Sequence, residues 1–342
     1  MAKVVTLGEI MLRLSPPGNQ RFGQAGSFDI NYGGAEANVA FSLVQFGHQV
    51  SFVSKVPDNP IGECAVQTLQ KLGVDCSHIV RGGKRLGIYY LENGASIRPS
   101  SVVYDRADSS ITEAEIAEFD FDTIFKDVDL FHISGITAVI SEKAAIVTRE
   151  AMKAAKRHGA CISFDLNYRA KLWTEGVQRK QELMSSLMEY VDICFGNALD
   201  AAKCLGYKEE GIDYLNSDYS ICVNEENMAK VVKHYGLTYL ITTLRKNISA
   251  SYNEWSAAIS DGSTLYKGRD YQLDIVDRVG GGDAFAAGVL HGHLVGKSMG
   301  DALEFGIAAA AIKHTIPGDL NYTTIGEVEA LVKGGGKGRV VR

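Results

Sequence analysis

Short apolar runs of strand length alternate with helix-length segments along most of the 342 residues, and this rhythm constrains the fold more than any other feature. "KVVTLG" (3–8) reads as a strand, and "AEANVAFSLVQFG" (35–47) as a helix closed by Gly47. "VSFVSKV" reads as a strand and "IGECAVQTLQKLG" (61–73) as a helix closed by Gly73. "VDLFHISG", "ACISFDLN", "VDICFG" and "TYLITT" follow, each apolar on both faces, with helical stretches such as 141–158 between them. Strands of that kind belong in a parallel sheet covered by helices on both sides. The predicted fold class is α/β: a three-layer αβα domain around a mainly parallel central sheet.

Two stretches interrupt the rhythm. Residues 10–32 and 86–106 read as extended segments of mixed polarity, the second with an Asn-Gly turn signal at Asn93-Gly94. They predict a discontinuous β lid, built from a hairpin, outside a main domain of residues 1–9, 33–85 and 107–333. The lid edge is expected to cover a ligand or to pair with another subunit, giving a homo-oligomer, dimer or higher. The stretch 207–224 reads as a polar surface connection and 334–342 as a mobile Gly- and Lys/Arg-rich tail.

Composition narrows the partners. A formal net charge of −6 gives no bulk basic field for nucleic acid or anionic lipid. No apolar run approaches the ~20 residues that span a bilayer, and the start "MAKVVTLGEIMLRL" lacks a signal-peptide h-region. The six cysteines form no CxxC pair and read as buried free thiols. The expectation is a soluble cytoplasmic protein without nucleic-acid or membrane partners. An anionic small substrate then needs local arginines.

The motif richest in chemistry is "DRVGGGDAFAAG" (277–288). A Gly-rich loop that opens a helix presents backbone N–H groups to an anion. Gly280, Gly281 and Gly282 form such a loop, and Asp283 sits directly behind it. Loop and acid together suit phosphoryl transfer: donors for the moving group and a base for the attacking hydroxyl. The residues alone also allow a plain helix cap at Asp283. There is no GxxxxGK[ST] phosphate loop, "GGGKG" at 334–338 lacks the Ser/Thr, and no GxGxxG dinucleotide fingerprint opens a first βα turn.

Three further clusters are candidates, the last two of them outside the carboxyl ends of strands, where ligands bind in open α/β sheets. In "NYGGAEANVA" (31–40), Gly33 and Gly34 let a ligand approach the backbone, and Asn38 lies one helical turn on; a tight turn with a solvent-facing Asn is the alternative. In "DLNYRAKLW" (165–173), Arg169 is placed to meet a carboxylate or phosphate, or is a surface arginine. In "GNALD" (196–200), Asn197 and Asp200 are placed to position a hydrated Mg²⁺, or Asn197 caps the helix. His291 and His293, two apart, make no metal pair; all eight histidines read as structural or surface.

These clusters, in this order, resemble the ribokinase-like (pfkB-type) carbohydrate kinases over essentially the whole chain. The resemblance implies that Asp283 is the catalytic base and that Gly280, Gly281 and Gly282 form the anion hole. It implies that Asn167, Asn197, Asp200, Arg245 and Asp277 serve the nucleotide, with Asn197 and Asp200 organising Mg²⁺ through water. ATP and Mg²⁺ are the implied cofactors. Where the family has Asn-x-x-Glu this chain has Asp200, a shorter acid, and it lacks the glycines the family often carries after Thr243. Arg245, Lys246 or Asn247 is then expected to meet phosphate or base. Within the family the chain looks most like the 2-keto-3-deoxygluconate kinases, on "GGAEANVA", the Tyr89 strand, "VVYDR" and "DLNYRAKLW". That likeness places Gly34, Tyr89, Tyr104, Arg106, Arg169 and Asp319 around a sugar acid, with Arg106 and Arg169 offsetting its carboxylate. A kinase for a neutral sugar and a non-catalytic sugar or nucleotide sensor are the alternatives.

Overall fold

The structure, a computed structural model, describes residues 1–207 and 224–334. The surface connection and the tail expected from sequence fall almost wholly outside the described residues. In chain order the first strands are β1 (Lys3–Leu7), β2 (Met11–Ser15), β3 (Asp29–Gly33), β4 (Gln49–Val56), β5 (Ile79–Arg81), β6 (Gly87–Glu92) and β7 (Ser101–Asp105). They are followed by β8 (Leu130–Ser134), β9 (Cys161–Asp165), β10 (Ile193–Phe195), β11 (Tyr239–Asn247), β12 (Tyr252–Ser260), β13 (Leu265–Lys267) and β14 (Tyr271–Asp274).

The central sheet runs β11-β10-β9-β8-β1-β4-β5, all parallel. Strand β12 adds to it antiparallel and carries β13 and β14. Successive residues of each strand feed two separate cores. Val4, Phe52, Leu130 and Ile241 pack with the helices Ala35–Gln45, Gly281–Leu294 and Met299–Lys313 on one side. Val5, Val53, Phe131 and Leu240 pack with Glu142–Arg157, Val177–Leu187 and Glu225–Tyr235 on the other. The doubly buried strands of the sequence thus have helices on both faces, and the α/β expectation holds.

The small residues after Asp283 serve helix packing. A Cβ on Gly288 would lie 2.7 Å from the Gly306 Cα, so the helices Gly281–Leu294 and Met299–Lys313 touch backbone to backbone.

The second sheet, β3-β2-β6-β7, is separate. Its β6–β7 hairpin does not turn at Asn93-Gly94 in two residues. The connection runs from 93 to 100, with Gly94 N–H bonded to Ser100 Oγ at 2.9 Å and Ala95 and Arg98 exchanging backbone bonds. An internal bridge inside the loop outcompetes the tight turn. The five described cysteines are free, but Cys64 is exposed and Cys161 half-buried rather than buried. Cys222 lies outside the described residues. His48, His132, His291 and His314 are buried in the interior.

Candidate active site

The carboxyl ends of β1, β8, β9, β10 and β11 converge on one cavity of about 430 Å³, and residues of the second sheet close its opposite wall. The Gly-rich loop forms its floor. Gly280 caps the helix with φ +79°, and a Cβ there would lie 2.0 Å from the Asp319 carbonyl oxygen, so only glycine fits. The first intrahelical bond runs from Ala284 N–H to Gly280 O at 2.8 Å. The N–H groups of Gly282 and Asp283 precede it, and a helix offers such groups no carbonyl of its own. Gly282 also has open space where a side chain would be, and both residues line the cavity.

Asp283 is fixed by a residue from the other Gly-rich segment. Asn38 Nδ2 donates to Asp283 Oδ2 at 2.7 Å, and Asn38 Oδ1 accepts the Gly34 N–H at 3.3 Å. Gly34 cannot be larger: a Cβ would lie 1.9 Å from the Glu9 carbonyl oxygen. Burial pushes the Asp283 carboxyl up to about 7; the Asn38 bond opposes the rise, and nearby Asp165 adds to it. Asp165 is itself pushed to about 6 by burial, opposed by Arg169. Burial likewise raises Glu36, whose Oε1 accepts from Ser134 N–H, Ser134 Oγ and Thr137 Oγ1, and Asp200. A carboxylate held near neutral ionisation in a cleft is what a general base requires.

Tyr89, Tyr104, Arg106 and Arg169 all line the cavity. The two tyrosine rings lie 6.0 Å apart, and the Arg106 guanidinium stands over Tyr104 at 5.7 Å. Arg106 Nη2 donates to Glu9 Oε2. Arg169 is exposed, bonded through Nη1 to the Tyr168 carbonyl at 3.1 Å. Asn167, in the left-handed region at φ +44°, is tied to Asp165 through both its N–H and its Nδ2, and its buried Oδ1 has no protein partner.

Several expected contacts fall elsewhere. Asp277 does not reach the cavity. Its carboxylate accepts from Arg13 Nη2 (2.7 Å), Gly318 N–H (3.0 Å) and Val279 N–H (3.0 Å), and so shapes the loop from beneath. Asp319 does line the cavity, but its oxygens are engaged by Arg13 Nη1 at 3.0 Å and by Tyr89 Oη. In this arrangement it braces Tyr89. Gly33 packs against the Asp319 side chain and Gly281 against the His314 ring; neither lines the cavity. Asn197 and Asp200 form a reciprocal capping box, Asp200 N–H to Asn197 Oδ1 at 2.9 Å and Asn197 N–H to Asp200 Oδ2 at 3.0 Å. Asp200 still faces the cavity, while Asn197 does not line it.

On the side of β11, Arg245 lines the cavity and stands over the Trp255 ring at 5.1 Å. Lys246 instead pairs with Glu254 at 3.3 Å, and Asn247 Oδ1 accepts from Arg278. The missing glycines have a structural counterpart: β11 continues to Asn247 in register with Asn253, as a long hairpin arm. Among the described residues no three His, Cys, Asp or Glu side chains form a preassembled metal group. Asp165 and Asp200 face the cavity, and a mostly hydrated Mg²⁺ travelling with phosphates needs only one or two such carboxylates, so the donor set fits it.

Sequence reasoning missed Arg13, Glu9, Glu36 and Asp165. Arg13 had a signal: in "MLRLS" it shares a strand face with Met11 and Ser15, an inward position where an unpaired charge is costly.

The pfkB family carbohydrate kinase profile matches residues 1–323. The 2-dehydro-3-deoxygalactonokinase of Haloferax volcanii is 34% identical over 98% of both chains. The crystal structure of 2-dehydro-3-deoxygluconokinase from Thermotoga maritima superposes with a TM-score of 0.90 at 44% identity, covering 97% of this chain and 98% of that one. That of a PfkB family carbohydrate kinase from Listeria grayi gives 0.88 at 35%, covering 97% and 99%. Together with the Gly-rich loop, its Asp283 and the second sheet over the cavity, these likenesses decide the matter: the chain belongs to the pfkB family of carbohydrate kinases.

Proposed function

We propose that this kinase transfers the γ-phosphoryl group of ATP to the 6-hydroxyl of 2-keto-3-deoxygluconate, giving the 6-phospho sugar acid and ADP. One observation carries the reading: Asp283, with a carboxyl near 7, lies in the first turn of a helix whose free N–H groups open into the same cavity as Arg106 and Arg169. The two arginines supply the carboxylate recognition that a neutral sugar does not need. The names of the Thermotoga and Haloferax relatives point to 2-keto-3-deoxy sugar acids, of the gluconate and galactonate series respectively.

In this mechanism Asp283 takes the proton of the attacking hydroxyl as its oxygen bonds to the γ-phosphorus and the bond to ADP breaks. Gly282 and Asp283 N–H groups donate to the phosphoryl oxygens, where charge is largest in transfer. Arg245 serves the nucleotide. Asp165 and Asp200 would hold Mg²⁺, which supplies charge neutralisation on the phosphates.

The same reading includes a second copy of the chain on the outer face of the second sheet. Ile30, Leu14, Tyr90 and Val103 pair in one cross-strand row, opposite the face that carries Arg13, Tyr89 and Tyr104. Ile30 is 63% and Val103 48% exposed, and an apolar row of this kind favours a partner. No helix among the described residues is long and apolar enough to cross a membrane; a cytoplasmic location belongs to the proposal, in keeping with the free thiols.

The deciding experiment is a coupled ADP-release assay over both 2-keto-3-deoxy acids, fructose and ribose. Turnover highest with the gluconate-derived acid is expected. Preference for a neutral sugar would sink the substrate assignment, and binding with no turnover on any substrate would favour a sensor.

A further inference from the structure

Glu9 follows β1 and lines the sugar-acid end of the cavity, yet the reaction as described gives it no task. It is only 5% exposed. Its Oε2 accepts from Arg106 Nη2, and its Oε1 is buried without a hydrogen-bond partner. Arg106 Nε is also buried without one. The two orphaned atoms thus belong to the two side chains already joined, one on each. A side-on carboxylate–guanidinium fork uses these same four atoms: Nη2 with one oxygen and Nε with the other.

The backbone is shaped to admit this carboxylate. A Cβ on Gly87 would lie 2.4 Å from Glu9 Oε1 and 3.2 Å from its Cδ, so any side chain at 87 would displace the acid. On its other flank, the Arg106 guanidinium stands over the Tyr104 ring. Arg106 is therefore gripped from the main domain by Glu9 and from the second sheet by Tyr104. An arginine has five donors in one rigid plane, so holding one edge directs the other.

We propose that Glu9 is a positioning residue for the sugar acid: it grips one edge of Arg106 so that the opposite edge meets the substrate carboxylate, and Gly87 is glycine to leave it room. The inference rests on the reading of Arg106 as a carboxylate contact. Glu9 itself touches no reacting atom, so its loss acts on binding of the acid and leaves phosphoryl transfer nearly intact.

Steady-state kinetics with 2-keto-3-deoxygluconate test it on Glu9→Ala, Glu9→Gln, Gly87→Ala, Arg106→Ala and the Glu9→Ala/Arg106→Ala double variant, with thermal unfolding on each. Glu9→Ala and Gly87→Ala should raise KM about tenfold with kcat within about threefold of wild type. Glu9→Gln, which still accepts a hydrogen bond, should recover most of the loss. In the Arg106→Ala background, Glu9→Ala should add less than about twofold, because the two changes remove one interaction. If Glu9→Ala does not fold, Gly87→Ala carries the same prediction with the carboxylate retained. An unchanged or lowered KM in Gly87→Ala, or full additivity in the double variant, overturns the proposal while leaving Arg106 as a contact. An Arg106→Ala enzyme with wild-type KM overturns both it and the reading beneath it.

Discussion

Asn38 and Asp283, 245 residues apart in sequence, meet through a 2.7 Å hydrogen bond from Nδ2 to Oδ2. Because Asn38 also receives the Gly34 N–H, one amide side chain connects the segment proposed to hold the sugar with the proposed base. Its donation favours the ionised carboxylate and opposes the upward pull of burial.

Replacing Asp283 with Asn should remove the base and leave the fold. We expect turnover to fall about 10²–10⁴-fold with substrate affinity retained, measured by the ADP-release assay and by calorimetric titration of the sugar acid. Near-normal turnover would reject Asp283 as the base. The same variant carries a stability signature. The folded carboxyl titrates at about 7 against an ordinary value of 3.8. A raised pKa favours the folded state below the ordinary value, and that advantage is lost as pH rises through the folded one. Relative to wild type, the Asn variant should therefore melt higher above pH 7 than at pH 4.

Asn38→Ala removes the bond that holds the Asp283 carboxyl down. In wild type, kcat/KM should rise with pH through about 7 as Asp283 ionises. In the variant that acid limb should move to higher pH. A limb that stays in place, or moves to lower pH, would show that another group controls it.

Arg169→Ala should lower kcat/KM for the keto acid about 10–100-fold and leave any residual rate on fructose unchanged. Equal losses on both substrates would mean that Arg169 supports the site without reading a carboxylate.

Arg13 holds Asp277 and Asp319 together in the interior, with all three side chains almost wholly buried. Arg13→Met leaves two buried carboxylates without the guanidinium that bonds both and should destabilise the protein by about 3–5 kcal/mol. Urea unfolding measures it; a loss under about 1 kcal/mol would show that water reaches the acids.

Ile30→Asp places a charge in the apolar row on the outer face of the second sheet. Light scattering on a sizing column should give a larger species for wild type and a smaller one for the variant, with the monomer's fold intact by circular dichroism. A monomeric wild type would refute the proposed second copy.

The layers of this protein were legible because they rest on local rules. Period-2 and period-3.6 patterns mark strands and helices within a dozen residues, and doubly apolar strands such as "LFHIS" require helices on both faces. The Gly-rich loop and Asp283 were legible for the same reason: helix start, free N–H groups and acid are neighbours in the chain. Partners brought together by the order of strands were not. Arg13 finds its two acids 264 and 306 residues away, and Glu9 meets Arg106 only because the fold brings the residues that follow β1 and β7 together at the cavity. Sequence alone thus determined the architecture and marked the residues that suit phosphoryl transfer. Tertiary structure decided which charges remain open to a ligand and which are spent on one another, because a buried charge must take whatever partner the fold brings within hydrogen-bond reach.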